Sequence, residues 1–131
     1  MDPLVAAARA AAAKAYAPYS GFAVGCAVES IDSEVATGAN MENACYRLGL
    51  CAEQAALAAA QTAFGLASIT RIAIIAPSSV TPITPCGGSR QAILEAGGDI
   101  VILCASGDGD RVDTHRIADL LPHAFSLGRS A

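Results

Sequence analysis

The sequence predicts an α/β fold, a three-layer α/β/α sandwich around a mixed five-stranded sheet. Three observations carry this expectation. One helix and a hairpin come first, after which helix and strand alternate, an order that places helices on both faces of a sheet. RIAIIA at 71–76 and DIVILCA at 99–105 are short and apolar without alternation, the pattern of strands buried on both faces. Alanine-rich stretches of high helix propensity lie beside them.

In chain order, Asp2 and Pro3 before LVAAARAAAAKAYA give a helix cap and a first helical position, and Pro18 disfavours helical geometry at Ala17. This helix is therefore expected to run to about Pro18. PYSG reads as a turn. In FAVGCAVES, Phe22, Val24, Cys26 and Val28 alternate with smaller residues and predict a strand, with VATGAN its hairpin partner across IDSE. MENACYRLGL has no clean period and is expected to be a loop. CAEQAALAAAQTAF is helical up to Gly65, and CGGSRQAILEAGG predicts a second helix with Cys86 and Ser89 in its first turn. GDGD is a turn, RVDT a short edge strand, and RIADLLP a last short helix.

Composition narrows the function. The 131 residues, read as one domain over 1–131, suffice for a real core; the 53% hydrophobic content is mostly alanine, and only 5% is aromatic. The formal charge of −4 disfavours a phosphate-backbone partner, which would need clustered Lys and Arg. Arg9, Lys14 and Glu53 interrupt the apolar runs before they reach membrane-spanning length, and the N-terminus lacks the pattern of a signal peptide. A cytoplasmic protein acting on a small uncharged ligand is expected, without nucleic acid or membrane. Five cysteines in such a chain point to buried thiols, metal ligands or nucleophiles rather than disulfides.

Two segments concentrate chemistry, LCAEQA at 50–55 and PCGGSRQ at 85–91. Each puts a cysteine where a helix is expected to begin, and exposed N–H groups with the helix dipole favour a thiolate there. Cys86 and Ser89, three apart, share a helix face; Glu53 is displaced around its helix from Cys51 and can stand beside a metal without binding it.

The pairing of Cys-Ala-Glu with Pro-Cys-x-x resembles the zinc-dependent cytidine deaminase family, most closely its small homotetrameric type. The likeness runs nearly end to end, through APYSGFAVGCAV, NMENACY, CAE, PCGGSRQ and LLPHAFS. It implies zinc bound at Cys51, Cys86 and the position of Ser89, with Glu53 as the proton shuttle. Hydroxide generated at the zinc would attack C4 of cytosine, and the glutamate would move protons to N3 and the departing amine, giving uridine and ammonia in pyrimidine salvage. By the same resemblance Asn40 and Glu42 match residues that bind ribose hydroxyls, Phe22 one packed near the pyrimidine, and Ala52 one whose backbone meets the base. Tyr46 and Phe125 match residues lent to a neighbouring subunit's pocket in a homotetramer. Taken apart from the resemblance, Asn40 and Glu42 are ordinary loop polar groups, and core packing competes for Phe22. Cys26, Cys45 and Cys104 fall at no ligand position and are expected to be structural thiols.

The chain departs from the family at Ser89, where a third thiolate is expected. A neutral hydroxyl is a poor zinc ligand, so Ser89 coordinates weakly, a water replaces it, or another group reaches in; alternatively it only caps the helix beginning near Cys86. Many small members set an arginine after the glutamate to offset three thiolates, whereas this chain has Gln54. With two thiolates the centre is neutral, so the two departures are consistent. Two rival readings remain open: a metal-poor relative that binds a nucleoside without turnover, and a deaminase of another aminated heterocycle such as a nucleoside antibiotic.

Overall fold

Burial of the central strands on both faces dictates the layers. The computed structural model describes residues 1–128. Its strands β1 (Gly25–Ser30), β2 (Val35–Ala39), β3 (Ile69–Ile75), β4 (Val101–Ala105) and β5 (Val112–Arg116) form one sheet in the order β2-β1-β3-β4-β5. Only β3 and β4 are parallel, so the sheet is mixed. Ile72 and Ile74 of β3, with Cys26, Val28, Ile102 and Cys104 beside them, face a core shared with α2 (Ala52–Ala63), α3 (Gly87–Ala96) and α4 (Ile117–Leu120). Ala27, Ala73, Ile75, Leu103 and Ala105 point the other way, onto Leu4, Val5 and Ala8 of α1 (Pro3–Ala12). Each fully buried isoleucine contributes roughly 1.5–3 kcal/mol. Two apolar faces on a period of two are why RIAIIA reads as a continuous apolar run.

The first helix is shorter than its sequence predicts and ends at Ala12. Tertiary hydrogen bonds outweigh propensity there: Tyr16 N–H donates to the Asn40 carbonyl at 3.0 Å, and Glu42 N–H donates to the Tyr16 carbonyl at 2.8 Å. Its start is as expected, with Asp2 accepting from Leu4 N–H at 2.8 Å. The first strand begins at Gly25 rather than Phe22, because the Asn40 side chain takes over the ladder: its Oδ1 accepts from Val24 N–H at 2.8 Å and its Nδ2 donates to the Phe22 carbonyl at 2.9 Å. The segment RVDT extends into a full edge strand through Arg116. The 41–50 stretch is irregular apart from a 3₁₀ turn at Tyr46–Leu48 and bridges of Met41 to Tyr16 and Leu50. Among the described residues no helix is long and apolar enough to cross a membrane.

Candidate active site

Two helix beginnings meet at one place. Cys51 is the N-cap of α2 and Cys86 the N-cap of α3, as their motifs predicted, and α2 packs against α3. Ser89, one turn into α3, is 0% exposed. The Cys86 thiol donates to the Ser89 hydroxyl at 3.7 Å, and the Cys51 side chain lies close enough to both Ser89 and Cys86 for each to shift its pKa. Two sulfurs and a hydroxyl thus converge on one centre. Ser89 is no cap of α3, since Cys86 holds that position and the serine side chain is turned into the centre.

The two thiols differ in their electrostatics. The N–H of Ser89, then its hydroxyl, then the N–H of Gly88 draw the Cys86 pKa below its ordinary value. Burial pushes Cys51 the other way, reinforced by the charges of Cys86 and Glu53 and opposed by the Ser89 hydroxyl. Surrounding N–H groups thus favour the thiolate at Cys86, while at Cys51 desolvation opposes it. Glu53 is 6% exposed in the first turn of α2, and burial raises its carboxyl above the usual range.

A cleft of about 380 Å³ opens on these groups, lined by Cys51, Ala52, Glu53 and Cys86 on one side and by Asn40, Glu42 and Tyr46 on the other. Glu42 accepts from the N–H groups of Tyr19 and Ser20, each at 3.0 Å, and from the Ser20 hydroxyl, which lowers its pKa and ties the 19–22 turn to the cleft rim. Tyr46 is 84% exposed at the mouth, edge-on to Tyr19 with ring centroids 6.5 Å apart. Phe22 lies beside the cleft but does not line it, and its carbonyl is held by Asn40. Phe125 is 69% exposed on its own chain, against α3, where Gln91 Nε2 donates to its carbonyl at 3.4 Å; it is not part of this cleft.

Val24, Met41, Gly49, Leu50, Ile83 and Thr84 complete the lining and were not singled out from the sequence. Ile83 and Thr84 immediately precede Pro85-Cys86, which could have marked them; Met41 and Leu50 sit in the stretch without a period, where no signal existed. A larger hollow of about 760 Å³ lies beside α1, lined by alanines, Met1, Arg9, Ala23 and Pro77. It offers neither thiol nor carboxylate, so the smaller cleft carries the chemistry. Cys26 and Cys104 are buried as expected, with Cys104 pushed up to about 12, chiefly by burial, whereas Cys45 is exposed.

The family model for the cytidine and deoxycytidylate deaminase zinc-binding region matches residues 2–105, including both cysteine motifs. The chain belongs to this deaminase family. A cytidine deaminase of Mycobacterium tuberculosis is 42% identical over 117 residues, 89% of this chain and 83% of that one. One from Sporosarcina psychrophila is 36% identical over 127 residues, 96% of this chain and 91% of its own. The crystal structure of the Burkholderia pseudomallei cytidine deaminase superposes with a TM-score of 0.87 at 40% identity, covering 93% of this chain and 96% of that one. The deaminase α/β/α architecture anticipated from the sequence is thus the observed one.

Among the described residues no group of three or more His, Cys, Asp and Glu side chains is placed to hold a metal. What converges instead is two sulfurs plus the Ser89 hydroxyl, with the Glu53 carboxylate beside them. Such a set fits a tetrahedral dication with one position open, at lower affinity than three thiolates would give.

Proposed function

We propose that this deaminase hydrolyses cytidine and deoxycytidine to uridine and deoxyuridine with release of ammonia. The observation that carries the reading is the convergence of Cys51, Cys86 and Ser89 beside the buried carboxyl of Glu53, at a cleft that Cys51, Glu53 and Cys86 line. Cys51 and Cys86 would hold zinc, with Ser89 as the weak third donor. A zinc ion there would lower the pKa of a water molecule to roughly 7. Glu53, close by but not a ligand, would take the water's first proton and pass it to N3 of the ring, then carry the second, from the hydroxyl left on C4, to the amine as the C4–N bond breaks. Its burial keeps bulk water from competing for that proton.

The chain's other residues would orient the nucleoside. The backbone N–H of Ala52, in the first turn of α2, belongs to a set that has no partner within its helix and is free to meet the base. Asn40 spends one N–H and one lone pair on the backbone, which leaves its second N–H for a ribose hydroxyl. Glu42 is fixed by Tyr19 and Ser20 at the rim and can accept from the sugar. Phe22 would pack near the pyrimidine from the side.

A homotetramer with shared sites suits the surface. Tyr46 and Met41 are exposed in the cleft lining, and Phe125 is exposed and outside that lining, so a neighbouring copy would receive it. Such an assembly would work as a single-domain cytoplasmic enzyme of pyrimidine salvage. A monomeric mass in sedimentation would contradict the assembly. The relatives reported above are cytidine deaminases, so neither non-catalytic binding nor another heterocycle gains support.

The test is the loss of cytidine absorbance with zinc-loaded protein. Glu53→Gln keeps the shape of the side chain but not its basicity, and turnover should fall by at least about 10²–10⁴-fold. A variant as active as the wild type would sink the assignment of Glu53.

A further inference from the structure

Arg90 follows Ser89 in PCGGSRQ and has no part in the chemistry above. Its guanidinium makes three hydrogen bonds in three directions: Nε donates to the Pro85 carbonyl at 2.7 Å, Nη1 to the Leu120 carbonyl at 2.8 Å, and Nη2 to the Thr84 hydroxyl at 3.2 Å. Thr84 and Pro85 immediately precede Cys86, and Thr84 and Cys86 both line the cleft. Leu120 is the last residue of α4, whose terminal carbonyls need partners from outside the helix. One residue further, Gln91 holds the Phe125 carbonyl. A single turn of α3 therefore grips both the approach to a sulfur donor and the C-terminal segment.

We propose that Arg90 is a positioning residue for Cys86, bolting the 84–86 approach and its sulfur donor to the end of α4. The inference rests on the reading of Cys86 as a zinc ligand and goes beyond it by naming what fixes that ligand. The approach to Cys86 is irregular in conformation, and Pro82 and Pro85 have no N–H with which to anchor it. Two sulfurs that share one ion must nevertheless be held to within about 0.5 Å of their working positions. A planar guanidinium with five donors can meet a carbonyl, a second carbonyl and a hydroxyl at once. A lysine ammonium carries the charge without the fork and cannot span the three acceptors from one stem.

Arg90→Met and Arg90→Lys test this through zinc release to a chromophoric chelator and through the rate at which Cys86 of the metal-free protein reacts with a thiol reagent, read by peptide mass spectrometry. Both variants should release zinc about tenfold faster than wild type, the lower end of the effect expected for groups that orient ligands. Both should also label faster at Cys86. Unchanged zinc release and labelling in both variants, whatever happens to the melting temperature, would overturn the inference. Full recovery in Arg90→Lys would also overturn it, since charge alone would then suffice. If the wild type itself binds no zinc, the functional reading fails, and the labelling comparison alone decides on Arg90.

Discussion

Ser89 and a cysteine differ by one atom, oxygen for sulfur, and the site is built around that atom. The hydroxyl is fully buried, accepts from the Cys86 thiol and stands near Cys51, so the position is already shaped for a donor. Ser89→Cys should need little repacking and should tighten zinc binding by at least about tenfold, because a thiolate is a far better zinc ligand than a neutral hydroxyl. Competition with a chelator of known affinity measures this, and equal affinities would mean that Ser89 faces something other than the metal. At this scale the sequence was most legible where chemistry and chain position coincide: Cys51, Glu53 and Cys86 lie in short motifs that a helix start brings together. It was least legible where a side chain serves the backbone. Asn40 is spent partly on replacing ladder bonds of the first strand, and Glu42 on the 19–22 turn, neither of which spacing reveals.

Helices and strands depend on close approaches that no pattern announces. Gly38 of β2 is one: a Cβ there would lie 2.3 Å from Ala56 N and 2.8 Å from Ala55 C, both backbone atoms of α2. The helix cannot yield as a flexible side chain would. Gly38→Ala should cost about 1–3 kcal/mol, and because α2 carries Cys51 and Glu53, turnover should fall along with the melting temperature. Full activity at wild-type stability would show that α2 is not held by this contact. The start of α1 is governed by charge as well as capping. Asp2 accepts from Leu4 N–H and pairs with Arg71 at 3.2 Å, and these contacts hold its pKa below the ordinary 3.8. A depressed carboxyl stabilises the fold above its unfolded pKa, and that contribution disappears as pH falls through the folded value. Asp2→Ala should therefore cost about 1 kcal/mol at neutral pH, and its deficit in thermal melts should shrink as pH falls below the ordinary 3.8 towards Asp2's lower folded value. A deficit that persists unchanged in acid would remove Asp2's ionised form from the explanation. The length of α1 was misjudged for a related reason: alanine propensity favours helix up to Tyr16, but the backbone of Tyr16 is committed to Asn40 and Glu42.

The layer order of the molecule was legible because burial on both faces leaves unbroken apolar runs, and RIAIIA sends Ile72 and Ile74 to one core and Ala73 and Ile75 to the other. Strand order was not: nothing in a linear pattern inserts β1 between β2 and β3 or makes β3 and β4 parallel. Yet that topology is what sets the N-termini of α2 and α3 side by side, and every functional claim depends on their meeting. The most direct test is a crystal structure of the zinc-loaded protein with anomalous scattering recorded at the zinc edge. The account predicts one peak shared by the sulfurs of Cys51 and Cys86, at about 2.3 Å from each, with the Glu53 carboxylate adjacent but outside bonding distance. Sulfurs too far apart to share an ion, or a peak seated elsewhere in the molecule, would contradict it.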